Sequence, residues 1–188
     1  MGRDKARLRL GNRTMLGQIK KIATGTGWPV RIIRRDILPR CGPAGGVYTA
    51  LVTTRSDVVL FLACDMPLIE LELLSCLLKR AESSQAPVFT KSGSRFGFPF
   101  FLSRQSLLSV EKQLRMGAFS IQNLAKALNA KTLRVPAKFE VQLLNVNTPK
   151  EWEVVRKRWR RENRQRTPKD LPLANHSVRP TTAVNHDR

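Results

Sequence analysis

Hydrophobic positions along the 188-residue chain recur with two periods, and together they predict helices alternating with strands. Met15, Leu16, Ile19 and Ile22 form one stripe, so a helix is expected over 15–24, capped by Thr14 and ended by Gly25 and Gly27. Residues 29–34 read as a strand, and a loop with two prolines follows to Pro43. A helix opens in Gly42-Pro43-Ala44-Gly45-Gly46 and runs to about Thr54. Residues 57–63 are continuously apolar and short, which is the pattern of a strand buried on both faces of a parallel sheet. Leu71, Leu74, Leu77 and Leu78 place a helix over 68–81. Strands are expected at 86–90 and 96–102, and helices at 104–115 and 119–129. Short strands are expected at 131–135 and 141–144. A last helix starts near Thr148-Pro149 and carries Trp152, Val155 and Trp159 at helical spacing.

This alternation predicts an α/β fold with a mostly parallel sheet. The pattern fades after about Arg160, where prolines, Asn and Arg dominate. The expected organisation is therefore one domain over 1–161 and a basic, disordered tail over 162–188. Removing that tail is expected to leave nucleotide binding unchanged.

Composition narrows the picture. No run of about 18 apolar residues exists, so no membrane span is expected. The charged start Met1-Gly2-Arg3-Asp4-Lys5 is followed by no apolar stretch, unlike a secretory signal. Cys41, Cys64 and Cys76 are odd in number and lack C-x-x-C spacing, which argues against a disulfide framework or a zinc site and for a cytoplasmic location. The net charge of +20 suits a polyanionic partner. It is spread along the chain, however, with 11 Lys/Arg in residues 1–40 and 11 in 150–188, and no cluster is interleaved with stacking aromatics. Nucleic acid is thus a poorer fit than a nucleotide.

Four places can carry chemistry. Asp65, in Ala63-Cys64-Asp65-Met66-Pro67, follows the buried strand, where open α/β sheets bind ligands. A carboxylate there can hold magnesium, which favours one or two carboxylates plus phosphate oxygens; the alternative is a helix cap. Lys5, beside Gly2, is a compact charge suited to phosphate. Gly42, opening a helix, lets an anion approach backbone N–H groups; the alternative is tight packing. Asn145 and Asn147 alternate on one loop and can hydrogen-bond one ligand; the alternative is an ordinary turn and cap.

Taken in order, these segments resemble the molybdenum cofactor guanylyltransferases, MobA-like nucleotidyltransferases. Met1-Gly-Arg-Asp-Lys-Ala is similar to the end of that family's glycine-rich signature. Asp36 followed by Cys41-Gly-Pro-Ala-Gly-Gly-Val is similar to its acid and G-P-L-x-G helix start. Leu62-Ala-Cys-Asp-Met-Pro resembles its metal motif, and Leu144-Asn-Val-Asn-Thr-Pro-Lys-Glu its N-x-N-T-P-E segment. The resemblance implies a Rossmann-like three-layer domain that transfers GMP from GTP to molybdopterin and releases pyrophosphate. It implies Lys5 and Asp65 as catalytic residues, with Lys5, Asp36, Gly42 and Asp65 at the nucleotide. It further implies Asp65 on Mg2+, Asn145 and Asn147 at the acceptor, and a molybdoenzyme or molybdenum-insertion protein as a further partner. Cytidylyl transfer, a sugar-phosphate acceptor, or a non-catalytic basic binding protein are the competing readings. The chain starts at the signature's Met, so the family's first strand and glycine-rich loop are expected to be missing. The strands at 29–34 and 57–63 should then expose unpaired edges.

Overall fold

The computed structural model describes residues 5–84, 86–164 and 181–185. A 3-10 turn at Lys5–Arg7 leads into a hairpin of β1 (Arg9–Leu10) and β2 (Arg13–Thr14). Gly11, at φ 57°, makes the reversal. Helix α1 (Met15–Thr24) then begins under Thr14, whose hydroxyl accepts the Gly17 N–H at 3.0 Å. In chain order there follow β3 (Val30–Ile33), α2 (Gly42–Thr53), β4 (Val58–Ala63), α3 (Leu71–Ser84), β5 (Val88–Ser92) and β6 (Arg95–Ser103). Then come α4 (Leu107–Arg115), α5 (Ile121–Ala127), β7 (Lys131–Arg134), α6 (Ala137–Glu140), α7 (Pro149–Arg164) and β8 (Thr181–Asn185).

One six-stranded sheet of order β3-β8-β4-β6-β5-β7 carries the domain. Among its described strands, only β6 runs against the others. The alternation within β4 assigns its two faces. Val59 and Phe61 pack with α2, α4 and α5 around Phe89 and Phe100, which stack with ring centroids 4.4 Å apart. Leu60 and Leu62 face the other way, onto Ile19 and Ala23 of α1 and Leu74 and Leu77 of α3. The result is the mostly parallel α/β architecture that the pattern predicts, in the three-layer, Rossmann-like form that the family resemblance implies.

Three expectations are corrected. Residues 141–144 are not a strand: Ala137–Glu140 is helical and Val141–Leu143 forms a 3-10 turn. The buried positions there are Phe139 and Gln142, three apart, which is a helical rather than an alternating spacing. Helix α3 starts at Leu71 rather than 68, and the Gln142 side chain accepts the Glu70 N–H at 3.1 Å just before its first turn.

The largest correction concerns 162–188, expected to be a disordered tail. Among its described residues, α7 continues to Arg164, and Thr181–Asn185 forms β8 in the centre of the sheet. Strand β8 runs parallel to both neighbours, from Val30↔Thr182 to Ile33↔Asn185 and from Val59↔Thr181 to Ala63↔Asn185. The edges of β3 and β4, expected to be unpaired, are thus satisfied. The physical driver is the ladder itself: two parallel edges one strand apart expose N–H and C=O groups that each need a partner.

Candidate active site

Asp65 lies two residues beyond β4, at the edge where four other parallel strands also end. It is half-buried, and its Oδ1 is shielded from solvent. Its backbone carbonyl accepts the Val146 N–H at 2.8 Å, which clips the Asn145–Asn147 loop onto the Asp65 turn. Val146 is itself fully buried, packed with Leu10, Met15, Leu68 and Val155. Its two asparagine neighbours are left exposed.

Helix α7 anchors the other side of this loop. The Glu151 carboxylate accepts the Asn147 and Thr148 N–H groups, at 2.8 and 2.7 Å, while the Thr148 hydroxyl accepts the Glu151 N–H. This reciprocal capping box fixes the helix start. The backbone hydrogen bonds from Asn147 and then Thr148, with the Thr148 hydroxyl and the nearby Lys5 charge, hold the Glu151 carboxyl below its ordinary value. Trp152 and Trp159 pack against the cluster that holds Leu8 and Leu10. The ring of Trp159 would sit 2.3 Å from any Cβ placed on Gly11. That packing brings the 3-10 turn over the site, and Lys5 Nζ donates to Asn147 Oδ1 at 2.7 Å.

Lys5, Asp65, Asn145 and Asn147 therefore border one cavity of about 850 Å³. Residues 142 positions apart in sequence, Lys5 and Asn147, meet there directly. Pro43 of the glycine turn also borders it, but Gly42 and Asp36 do not. Gly42 has φ 51° and faces Phe119, whose carbonyl accepts the Ala44 N–H at 3.3 Å. The Asp36 carboxylate lies against the first turn of α2, with Oδ2 only 2.8 Å from where a Gly45 Cβ would stand. A negative charge there complements the helix N-terminus. Tight packing thus accounts for Gly45.

The cavity wall also includes residues the sequence reading missed: Arg95, Phe96, Phe98 and Gln122. They come from the start of β6 and from α5. Because β6 is antiparallel, its amino end reaches the same edge as the carboxyl ends of its neighbours. Nothing in the local pattern at 96–102 marked the direction of that strand. Among the described residues no three His, Cys, Asp or Glu side chains gather, so a cation here would depend on Asp65, amide oxygens and the ligand's own oxygens. A single carboxylate with a shielded oxygen fits magnesium bound together with phosphates.

The family model for the MobA-like NTP transferase domain matches residues 18–131, more than half of the chain. The chain belongs to this family. Among curated members, the molybdenum cofactor guanylyltransferase of Syntrophotalea carbinolica is 34% identical over 141 residues, covering 70% of this chain and 64% of that one. The probable molybdenum cofactor guanylyltransferase of Flavobacterium johnsoniae is 27% identical and covers 62% of each. The chain thus spans somewhat less than two thirds of these relatives' length. Two solved structures share the fold. Molybdopterin-guanine dinucleotide biosynthesis protein A from Archaeoglobus fulgidus has TM-score 0.73 and 17% identity, covering 85% of this chain and 92% of that one. The 2-C-methyl-D-erythritol 4-phosphate cytidylyltransferase of Thermus thermophilus has TM-score 0.63 and 15% identity, covering 83% and 94%. Among the described residues no helix of this MobA-like domain is long and apolar enough to cross a membrane.

Proposed function

We propose that this MobA-like domain transfers GMP from GTP to molybdopterin, with release of pyrophosphate. One observation carries the reading: Lys5, Asp65, Asn145 and Asn147, from three distant segments, border a single cavity at the carboxyl edge of the sheet. The names of the curated relatives point to the same substrates.

In this reading Asp65 holds magnesium, which when bound neutralises charge on the phosphate oxygens of the nucleotide. Lys5 adds a positive charge to the same cavity. One of its three N–H donors is used by Asn147, and the others are available to phosphate oxygens. Asn145 and Asn147 stand exposed beside Lys5 and orient the acceptor's phosphate for in-line attack. That phosphate is already anionic, so the protein supplies no general base. Catalysis is then placement plus charge stabilisation in a partly enclosed site. Asp36 and Gly42, at the start of α2 beside Pro43 of the cavity wall, are assigned to the nucleotide side in this reading. A molybdoenzyme or molybdenum-insertion protein would receive the product.

The test is pyrophosphate release by the full chain with molybdopterin and Mg2+, with GTP and CTP offered separately. Release with GTP alone is expected. Release with CTP alone would move the assignment to cytidylyl transfer. No release with either, joined to nucleic-acid binding that weakens steeply with salt, would favour a basic binding protein, for which the +20 charge speaks.

A further inference from the structure

Beyond the end of β4, strand β6 is met by a side chain instead of a strand. Pairing of β4 with β6 runs from Val58↔Ser103 to Phe61↔Phe100. The next residue of β6 towards the site is Pro99, which has no N–H, and the ladder stops. Residues Arg95–Phe98 continue past it, held by β5 through Thr90↔Gly97, Lys91↔Phe96 and Ser92↔Arg95.

Gln122 of α5 meets Phe96 there. The Phe96 N–H donates to Gln122 Oε1 at 3.1 Å, and Gln122 Nε2 donates to the Phe96 carbonyl. A carboxamide carries the same donor and acceptor as a peptide group. Gln122 thus reproduces the two-bond exchange of a hydrogen-bonded antiparallel pair. Its own position is firm. Ser120 caps α5 by accepting the Asn123 N–H at 3.1 Å, and Ile121, Leu124 and Ala125 are buried in the core. The Phe96 ring is fixed in turn, edge-on to Phe89 at 6.2 Å.

We propose that Gln122 is a positioning residue: by standing in for a strand, it sets the Arg95–Phe98 wall on the half of the cavity that lies across β4 from β3. Arg95 and Phe96 then meet the anionic acceptor rather than the nucleotide. This rests on the nucleotidyl-transfer reading. Topology supports the division: β3, which leads to Asp36, lies on one side of β4, and β6, β5 and β7 lie on the other.

The test uses the full chain and two variants. Gln122→Met keeps the side-chain length and removes both hydrogen bonds. Gln122→Glu keeps an acceptor for the Phe96 N–H and loses the donor. Hydrogen exchange at the Phe96 amide should quicken about tenfold in Gln122→Met, the worth of one such bond. Gln122→Glu should quicken it less, and α1 and β4 should stay protected in both. The KM for molybdopterin should rise about tenfold in Gln122→Met while the KM for GTP moves less than about twofold. Unchanged exchange at Phe96, equal rises in both KM values, or lost protection across α1 and β4 would each overturn the proposal. A wild-type chain that releases no pyrophosphate sinks the transfer reading instead. Equilibrium binding of molybdopterin to wild type and Gln122→Met then reads the same difference.

Discussion

Strands β4 and β8 lie side by side, parallel and in register over five residues, yet they are held by different forces. Strand β4 reads Val-Val-Leu-Phe-Leu-Ala, and its four central side chains are fully buried, alternating between two helical layers. Burial of apolar area drives it, at about 25 cal/mol per Å². Strand β8 reads Thr-Thr-Ala-Val-Asn, with Ala183 in the core. Its place is set by backbone pairing to two neighbours at once, β3 and β4. A central strand can therefore be specified by its neighbours' needs, with little hydrophobic signature of its own.

That contrast can be broken by mutation. Phe61 is fully buried and stacks on Phe100 at 4.9 Å, so Phe61→Ala should cost about 3–5 kcal/mol in urea unfolding. Ala183→Pro removes a ladder donor from a central strand and should cost about 3 kcal/mol, although it deletes no apolar atom. A loss below about 1 kcal/mol for Ala183→Pro would mean that β8 contributes little to the sheet. Deleting 181–188 should resemble Ala183→Pro in stability and should weaken GTP binding, against the expectation for a detached tail.

The ends of the two strands give a smaller test. Among the described residues, only β4 leads to an acid in the cavity. Asp65→Ala should lower turnover about a hundredfold or more with an unchanged unfolding midpoint, since it removes charge stabilisation rather than core. Near-normal turnover would take Asp65 out of the chemistry.

The smallest effect expected is at Glu151, fully exposed, whose carboxyl is held below the ordinary glutamate value of 4.5 by the Asn147 and Thr148 N–H groups. A depressed folded value means stabilisation that is present above the unfolded value. It is lost as pH falls below 4.5 through the folded value. Acidification across that range should lower the protection factors of the Asn147 and Thr148 amides in the wild type, with the intrinsic pH dependence of exchange divided out. Glu151→Gln, which cannot titrate, should show no such step. An identical pH response in both would detach the loop from Glu151.

Local chemistry made much of this protein legible. Thr14 caps α1 as its position suggested, the continuous apolar run is a central strand, and Asp65 sits at its carboxyl end. Lys5, Asn145 and Asn147 were separately readable as ligand-binding types, and the structure brings them together with Asp65. Residues 141–144 resemble a strand in sequence because Val141 and Leu144 are apolar, while burial follows Phe139 and Gln142.

By itself, then, the sequence determined the layers, the apolar faces and the acid at the strand end, because those depend on each segment's own periodicity and caps. Tertiary structure alone decided three things. It placed Thr181–Asn185 between β3 and β4, because only the assembled sheet presents two edges one strand apart. It turned β6 against its neighbours, carrying Arg95 and Phe96 to the cavity. And it stood Gln122 in for a strand, because a single carboxamide can satisfy a backbone pair only once another helix holds it there.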